Sequence, residues 1–241
     1  MVKISGIGEF KLSGPWRSRG YLPHFDGEQI PQFVTWRLAN TLPKKILDRY
    51  KQQLERGVIN DIEYFKLIEN HLDQSQGQSF LRLPEIASMI EENLLKFDGI
   101  KYKLHAWVIM PNHGHVLLTP EIGITLASIM HSAKSYTANQ ANKFLNRTGS
   151  FWAREYFDRY IRDGRHFTNT LKYIHQNPVK VGLCSQAKDW RFSSARFLLG
   201  GFTPQAALPA GSRRSDDTCS TIISTNSSST SDMSAMSART R

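Results

Sequence analysis

The sequence is poor in cysteine, in long apolar runs and in acidic side chains. Cys184 and Cys219 are its only cysteines among 241 residues, so neither a disulfide framework nor a cysteine-based metal site is expected. No stretch approaches the roughly 18 apolar residues of a membrane span, and the start lacks the apolar core of a signal peptide. We therefore expect no membrane partner and a cytoplasmic location.

Acidic residues are outnumbered by basic ones. The chain has 21 Asp and Glu against 31 Lys and Arg, which gives a formal net charge of +10. The excess is concentrated in residues 121–200, where 12 basic and 5 acidic side chains leave +7. Such a surplus favours a polyanionic partner, with nucleic acid ahead of an acidic membrane surface.

The last 32 residues differ in composition from the rest of the chain. Residues 210–241 contain 10 Ser and 5 Thr and no aromatic residue. A segment of this kind cannot bury enough apolar surface to offset its ordering entropy. We expect one folded domain over residues 1–209 and a disordered Ser/Thr-rich tail over 210–241; a frameshifted or read-through end would have the same composition.

Hydrophobic periodicity predicts a mixed α/β domain. Strands are expected over 31–38, 101–110 and 113–120, the last two as a hairpin. Helices are expected over 43–57, within 58–83, and over 84–99, 124–146 and 164–178, with 150–163 mixed strand or loop. The last helix is expected to end at Pro178, because the residue before a proline is disfavoured in the helical conformation. The pattern favours an α+β fold with a ferredoxin-like antiparallel sheet and helices on one face.

Two histidines are placed to act together in the predicted strand "HGHVLLTP". Residues two apart on a strand point to the same face, so His113 and His115 lie about 6–7 Å apart along it. That spacing would let two imidazoles bind one metal ion. Two exposed or hydrogen-bonded histidines would give the same pattern.

Tyr173 and Asn177 share a face of the predicted helix over 164–178, because they are four residues apart. A tyrosine hydroxyl can act as a nucleophile at phosphorus, and an asparagine carbonyl can bind a hard divalent ion. Each residue also has an ordinary structural explanation. Tyr173 could pack in the core, and Asn177 before Pro178 could be a helix-stop residue.

Three stretches in order carry a resemblance to a known family. "MPNHGHVLL" resembles the HUH motif (His, hydrophobic residue, His) of single-tyrosine transposases. "LKYIHQNPVKVGL" resembles the helix that carries their nucleophile. Together with "FWAREYFDRYIRD" and "WRFSSA", these motifs are similar to those of the REP-associated tyrosine transposases, bacterial relatives of insertion-sequence transposases that act on short palindromic repeats.

The resemblance implies a fold of the HUH endonuclease type and a set of site residues. His113 and His115 match the paired metal ligands, Tyr173 the nucleophile and Asn177 the third ligand, with Mg²⁺ or Mn²⁺ as the expected cofactor. It implies cleavage of single-stranded or hairpin DNA through a 5′-phosphotyrosine. One position departs from the motif: Gly114 replaces a bulky apolar residue, for which we expect a packing cost.

A stretch of interleaved aromatic and basic residues is a candidate DNA-binding surface. Its arginines are Arg154, Arg159 and Arg162, and such a mixture suits stacking on unpaired bases and contacts with phosphates. Core aromatics beneath a solvated basic face would look the same. Arg17, Arg19 and Lys180 are further candidate DNA contacts.

The resemblance implies a metal-dependent single-strand DNA endonuclease and strand transferase that acts on palindromic-repeat hairpins, and we expect it to be associated with the nucleoid as a monomer or homodimer. A mobile-element transposase or replication nickase would use the same chemistry. The alternative from a different class is a catalytically inactive hairpin-DNA-binding protein derived from a transposase. A metal hydrolase of small substrates is disfavoured by the basic segment and by the lack of a carboxylate expected near the histidines.

Overall fold

The computed structural model describes residues 2–4, 7–10, 16–18, 23–27, 29–74 and 77–200. The predicted tail and its boundary near residue 209 lie outside this part of the chain. The division into a domain and a tail therefore stays a prediction. Among the described helices, none combines the length and apolar character that crossing a bilayer needs.

The described residues form eight strands and five α-helices. The strands are β1 (Val2–Ile4), β2 (Ile7–Phe10), β3 (Trp16–Ser18), β4 (Pro23–Phe25), β5 (Gln32–Arg37), β6 (Tyr102–Ile109), β7 (His113–Pro120) and β8 (Phe157–Tyr160). The helices are α1 (Lys44–Glu55), α2 (Asp61–Gln74), α3 (Pro84–Lys96), α4 (Leu126–Phe144) and α5 (Gly164–Lys180). Every helix and strand predicted from periodicity is present, and the mixed stretch over 150–163 contains β8.

A four-stranded antiparallel sheet forms the centre, in the order β6-β7-β5-β8. The register of β5 on β7 places Thr35 opposite His115 and Arg37 opposite His113. The predicted α+β class and antiparallel sheet are confirmed. Because side chains alternate along a strand, both histidines lie on one face of the sheet.

Helices cover both faces of this sheet, whereas the prediction placed them on one. Helices α3 and α4 pack on the face that carries Val34 and Val116. Helix α5 packs through Ile174 on the opposite face, which carries Phe33 and the histidines. The physical reason is that β7 is buried at almost every position, so neither face can be left to solvent.

Helix α5 continues beyond the proline at which it was predicted to end. Pro178 lies inside the helix, which runs to Lys180. The end is set by Gly182, whose φ of +72° suits a glycine. The amide of Leu183 donates to the carbonyl of Pro178 and that of Gly182 to Val179, the paired bonds of a Schellman motif. Lys180 is thereby held on the same helix as Tyr173.

Gly114 is matched to the tryptophan beside it. A Cβ at this position would lie 2.6 Å from Cζ2 of Trp36, which sits opposite Gly114 on β5. The indole occupies the space that a bulky side chain at 114 would take. The packing cost expected for Gly114 is therefore avoided, because Trp36 fills the gap.

Substitution of Gly114 by alanine should be destabilising. Forcing a methyl group against the Trp36 ring should lower the free energy of unfolding by about 1–3 kcal/mol, although alanine is otherwise favoured over glycine in a strand. Urea denaturation measures this. In a Trp36→Leu background the cost of Gly114→Ala should fall to less than half; an equal cost in both backgrounds would contradict this packing.

Candidate active site

The two histidines are buried and held by neighbouring polar groups. His113 and His115 are 1% and 0% exposed, and their ring centroids lie 4.8 Å apart. Nδ1 of His113 lies 2.6 Å from Oδ1 of Asn112, and Nδ1 of His115 lies 2.7 Å from Oγ1 of Thr35. With the ring protons on Nδ1, each Nε2 keeps its lone pair for another partner.

Burial keeps both imidazoles neutral. Desolvation lowers the pKa of His113 to about 3, and the charge of Lys180 acts in the same direction. Desolvation also lowers the pKa of His115 well below its usual value, with His113 and Lys180 adding to the effect. Neutral rings are the form that binds metal ions.

Helix α5 brings Tyr173 and Asn177 to the histidines within this single chain. The ring centroids of Tyr173 and His115 lie 5.4 Å apart. The amide Nδ2 of Asn177 donates to Nε2 of His115 at 3.1 Å, and Asn177 is 1% exposed. The four residues singled out in the sequence therefore form one cluster.

The cluster also contains Glu69, which sequence reasoning missed. Glu69 lies on α2 and is 3% exposed. Its Oε2 accepts a hydrogen bond from the Tyr173 hydroxyl and lies 3.5 Å from Nε2 of His115. The expectation that no carboxylate lies near the histidines was wrong. Hydrophobic periodicity predicts that this segment is a helix, but it does not predict which part of the chain the helix packs against.

A signal for this residue was present in the sequence. Phe65, Glu69 and Asp73 follow one another at intervals of four, which puts them on one face of α2. Phe65 stacks on Phe157 of β8, and Asp73 accepts a hydrogen bond of 2.9 Å from Lys180. Two acidic residues on the same helix face as an aromatic residue indicate that polar side chains lie in a buried interface.

The donor set fits a divalent metal ion. Ligand atoms of Glu69, His113 and His115 all lie within 4.8 Å of one another. Nε2 of His113, Oδ1 of Asn177 and Oε1 of Glu69 are buried without a hydrogen-bond partner in the described part of the chain. Buried acceptors are normally satisfied, so their convergence favours a cation as the missing partner.

The pair of Glu69 and Tyr173 is electrostatically unusual. Burial raises the pKa of Glu69 to about 8, and the charge of Asp73 adds to this, while the hydrogen bond from Tyr173 and the charge of Lys180 oppose it. Burial, with the charge of Glu69, also raises the pKa of Tyr173 above its ordinary value. Without a cation, the site favours protonated forms of both groups.

The predicted DNA-binding residues lie at different distances from this cluster. Arg159 is paired with Phe33 in the sheet register, so it shares the face of the histidines. Arg162 follows β8 and is exposed, and Lys180 is exposed one turn beyond Asn177. Arg154 is exposed and lines a separate cleft of about 480 Å³ beside α4.

The structure says less about the two N-terminal arginines that the sequence predicts to contact DNA. Arg17 is part of β3, paired opposite His24 of β4, and nothing is described of its side chain. Arg19 lies outside the described residues. Their predicted roles in DNA binding stay predictions.

Two other tyrosines, Tyr156 and Tyr160 of the aromatic and basic stretch, lie elsewhere. The ring of Tyr156 packs on His24 at a centroid distance of 4.4 Å, and that of Tyr160 on Phe25 at 4.9 Å. Tyr160 also alternates with Arg159 on β8 and so faces away from the histidines. Of these three tyrosines, Tyr173 is the one that the fold places at the histidines.

Comparison with known proteins confirms the resemblance seen in the motifs. Residues 83–177 match the model of the family described as "Transposase IS200 like". This range contains both histidines, Tyr173 and Asn177, and it excludes Glu69.

The chain is also similar to two curated proteins. It is 29% identical over 96 residues to the REP-associated tyrosine transposase of Escherichia coli K12, covering 39% of this chain and 54% of that protein. It is 32% identical over 96 residues to a Haemophilus influenzae protein given the same name provisionally, covering 36% and 54%. The chain thus spans about half the length of these relatives.

A solved structure of a REP-associated tyrosine transposase bound to a REP hairpin is also similar. The match has a TM-score of 0.45 and 19% sequence identity, and it covers 74% of this chain and 84% of the other.

Replacing the ionisable carboxyl group of Glu69 should change how the free energy of unfolding depends on pH. In EDTA, the folded protein retains the Glu69 proton up to about pH 8, whereas the unfolded chain releases it near pH 4.5, so this group costs stability as the pH rises between these values. We expect Glu69→Gln to match the wild type near pH 4.5 and to exceed its free energy of unfolding by a few kcal/mol above pH 8.

Urea denaturation at pH 4.5 and 8.5 measures the difference between the two proteins. A constant difference across this range would show that the carboxyl group is not held in its protonated form by burial.

Proposed function

We propose that this protein is a metal-dependent single-strand DNA endonuclease and strand transferase that acts on hairpin DNA of palindromic repeats. The observation that carries the proposal is the buried cluster in which Tyr173 and Asn177 of α5 meet His113 and His115 of β7. This cluster lies in the segment that matches the IS200-like transposase family.

The histidines and Asn177 would hold the metal ion, as Mg²⁺ or Mn²⁺. Both rings are neutral, and Nε2 of His113 and Oδ1 of Asn177 have no other partner in the described part of the chain. Two nitrogen ligands make the softer Mn²⁺ suitable as well as Mg²⁺. A bound divalent ion would polarise the scissile phosphate and offset its developing charge.

Tyr173 would be the nucleophile. Its hydroxyl oxygen would attack phosphorus, the bond from phosphorus to the 3′ oxygen would break, and that oxygen would leave as a hydroxyl after gaining a proton. The 5′-phosphotyrosine would retain the bond energy, so that the 3′-hydroxyl of a second strand could reverse the step without a nucleotide cofactor. In its ionised form, Glu69 would accept the tyrosine proton through the hydrogen bond that Tyr173 donates to it.

The basic side chains would bind the DNA backbone. Arg159 lies on β8, Lys180 on α5 and Arg162 in the link between them, and Arg154 is exposed beside a cleft. Arg17 and Arg19 would extend the surface. A buried cluster of this kind suits a flexible single strand or a hairpin end, whose backbone can enter further than that of a duplex.

The experiment that tests this function is a search for a covalent protein–DNA adduct. Purified protein is mixed with labelled single-stranded DNA that carries the palindromic repeat flanking its gene, in Mn²⁺ or Mg²⁺, and resolved on a denaturing gel. We expect an adduct that is lost in EDTA and reduced at least 100-fold by Tyr173→Phe, because phenylalanine lacks the hydroxyl that would attack phosphorus.

Tyr136→Phe is the matched control, because Tyr136 is an exposed tyrosine on α4 away from the cluster, and it should keep full adduct formation. DNA binding without an adduct in any metal would instead establish the catalytically inactive hairpin-binding protein.

A further inference from the structure

Helix α2 adds a carboxylate to the cluster from outside the segment that matches the transposase family. The family match begins at residue 83, whereas Glu69 lies between Asp61 and Gln74. Phe65 fixes the helix against the sheet by stacking on Phe157, with ring centroids 4.2 Å apart. Tyr64, Ile68 and Leu72 hold its other side against α1. Packing on both sides therefore directs Glu69 towards the histidines.

The two carboxylate oxygens of Glu69 have different surroundings. Oε2 accepts the hydrogen bond from Tyr173, whereas Oε1 is buried without a hydrogen-bond partner in the described part of the chain. Lys180, which lies on the facing helix α5, donates its hydrogen bond to Asp73. A buried carboxylate oxygen with no donor is costly, which points to a partner that must come from outside the chain.

The neighbouring acceptors lead to the same conclusion. Nε2 of His113 and Oδ1 of Asn177 are likewise buried and unpartnered in the described residues, and both belong to side chains that are 1% exposed. When Glu69 is ionised, neither can serve as a donor to it, since all three atoms are then acceptors. Only a cation, or a donor shared among them, would satisfy the group.

We propose that Glu69 is a protein ligand of the divalent metal, completing a site of two imidazoles and a carboxylate together with Asn177. Its second oxygen holds the Tyr173 hydroxyl, so one side chain links the metal to the nucleophile and makes Glu69 a positioning residue for Tyr173. The role of Tyr173 rests on the function proposed above, whereas the ligand assignment rests on the geometry alone. A carboxylate also brings a negative charge that two neutral histidines lack, which suits Mn²⁺ and Mg²⁺.

Binding of Mn²⁺ to the full chain without DNA tests the ligand assignment. Free Mn²⁺ is followed by its electron paramagnetic resonance signal during titration of the wild type and of variants. We expect Glu69→Gln and His113→Ala each to weaken Mn²⁺ binding by about 10-fold or more, because the first replaces a charged ligand by a neutral amide and the second removes a ligand. Mn²⁺ should also raise the melting temperature of the wild type and leave that of Glu69→Gln nearly unchanged.

Asp73→Asn is the matched control. Asp73 lies one turn after Glu69 on α2, and its carboxylate accepts a hydrogen bond from Lys180. Asp73→Asn should bind Mn²⁺ within about two-fold of the wild type. Melting in EDTA establishes that each variant is folded. Should Glu69→Gln fail to fold, Glu69→Asp keeps the charge on a shorter stem and should show an intermediate loss.

Glu69→Gln that binds Mn²⁺ as tightly as the wild type would overturn the assignment, as would a wild type that binds no Mn²⁺ at millimolar concentration. The assignment and the proposed function fail separately. Glu69-dependent Mn²⁺ binding without a covalent DNA adduct would remove the strand-transfer function and leave the metal ligand in place.

Discussion

The antiparallel pairing of β5 with β7 is the constraint on which the site depends. It sets Thr35 beside His115, where the threonine hydroxyl fixes the orientation of the imidazole. The same register sets Trp36 beside Gly114, where the indole fills the space on the opposite face of the sheet. A shift of one residue would move both histidines into the apolar face covered by α3 and α4. The buried strands on either side make such a shift costly.

Desolvation then determines the chemistry available on that face. It keeps the histidines neutral, raises the pKa of Glu69 to about 8, and opposes ionisation of Tyr173. The histidines are therefore already in the form that binds a metal ion, whereas a cation would change the protonated forms of Glu69 and Tyr173. Introducing a divalent ion would favour the carboxylate and draw on the acceptors that have no partner in the described part of the chain.

Local sequence signals were sufficient for much of this arrangement. Period-two alternation placed His113 and His115 on one face, and helical spacing placed Tyr173 and Asn177 on one side of α5. The resemblance over the motifs joined the two pairs. Pro178 misled the prediction of the helix end, because the Schellman motif at Gly182 decides where α5 stops.

The remainder depends on tertiary contacts that no local pattern reports. The approach of α2 to α5 decides that Glu69 meets Tyr173, and nothing in the period of α2 identifies its partner. The complementarity of Gly114 and Trp36 likewise joins residues far apart in the chain. Helices cover both faces of the sheet because β7 is buried at almost every position. The sequence of this strand predicts a hairpin, but it does not show that both of its faces are covered.

The central claim is that the two histidines and the residues around Tyr173 form one metal site. Crystals grown with Mn²⁺ and measured at the manganese absorption edge test it most directly. The account predicts a single strong anomalous peak from a manganese ion that is bound to Nε2 of His113 and of His115 and lies beside the Tyr173 hydroxyl. A well-ordered site with no peak, or a peak at other residues, would contradict it.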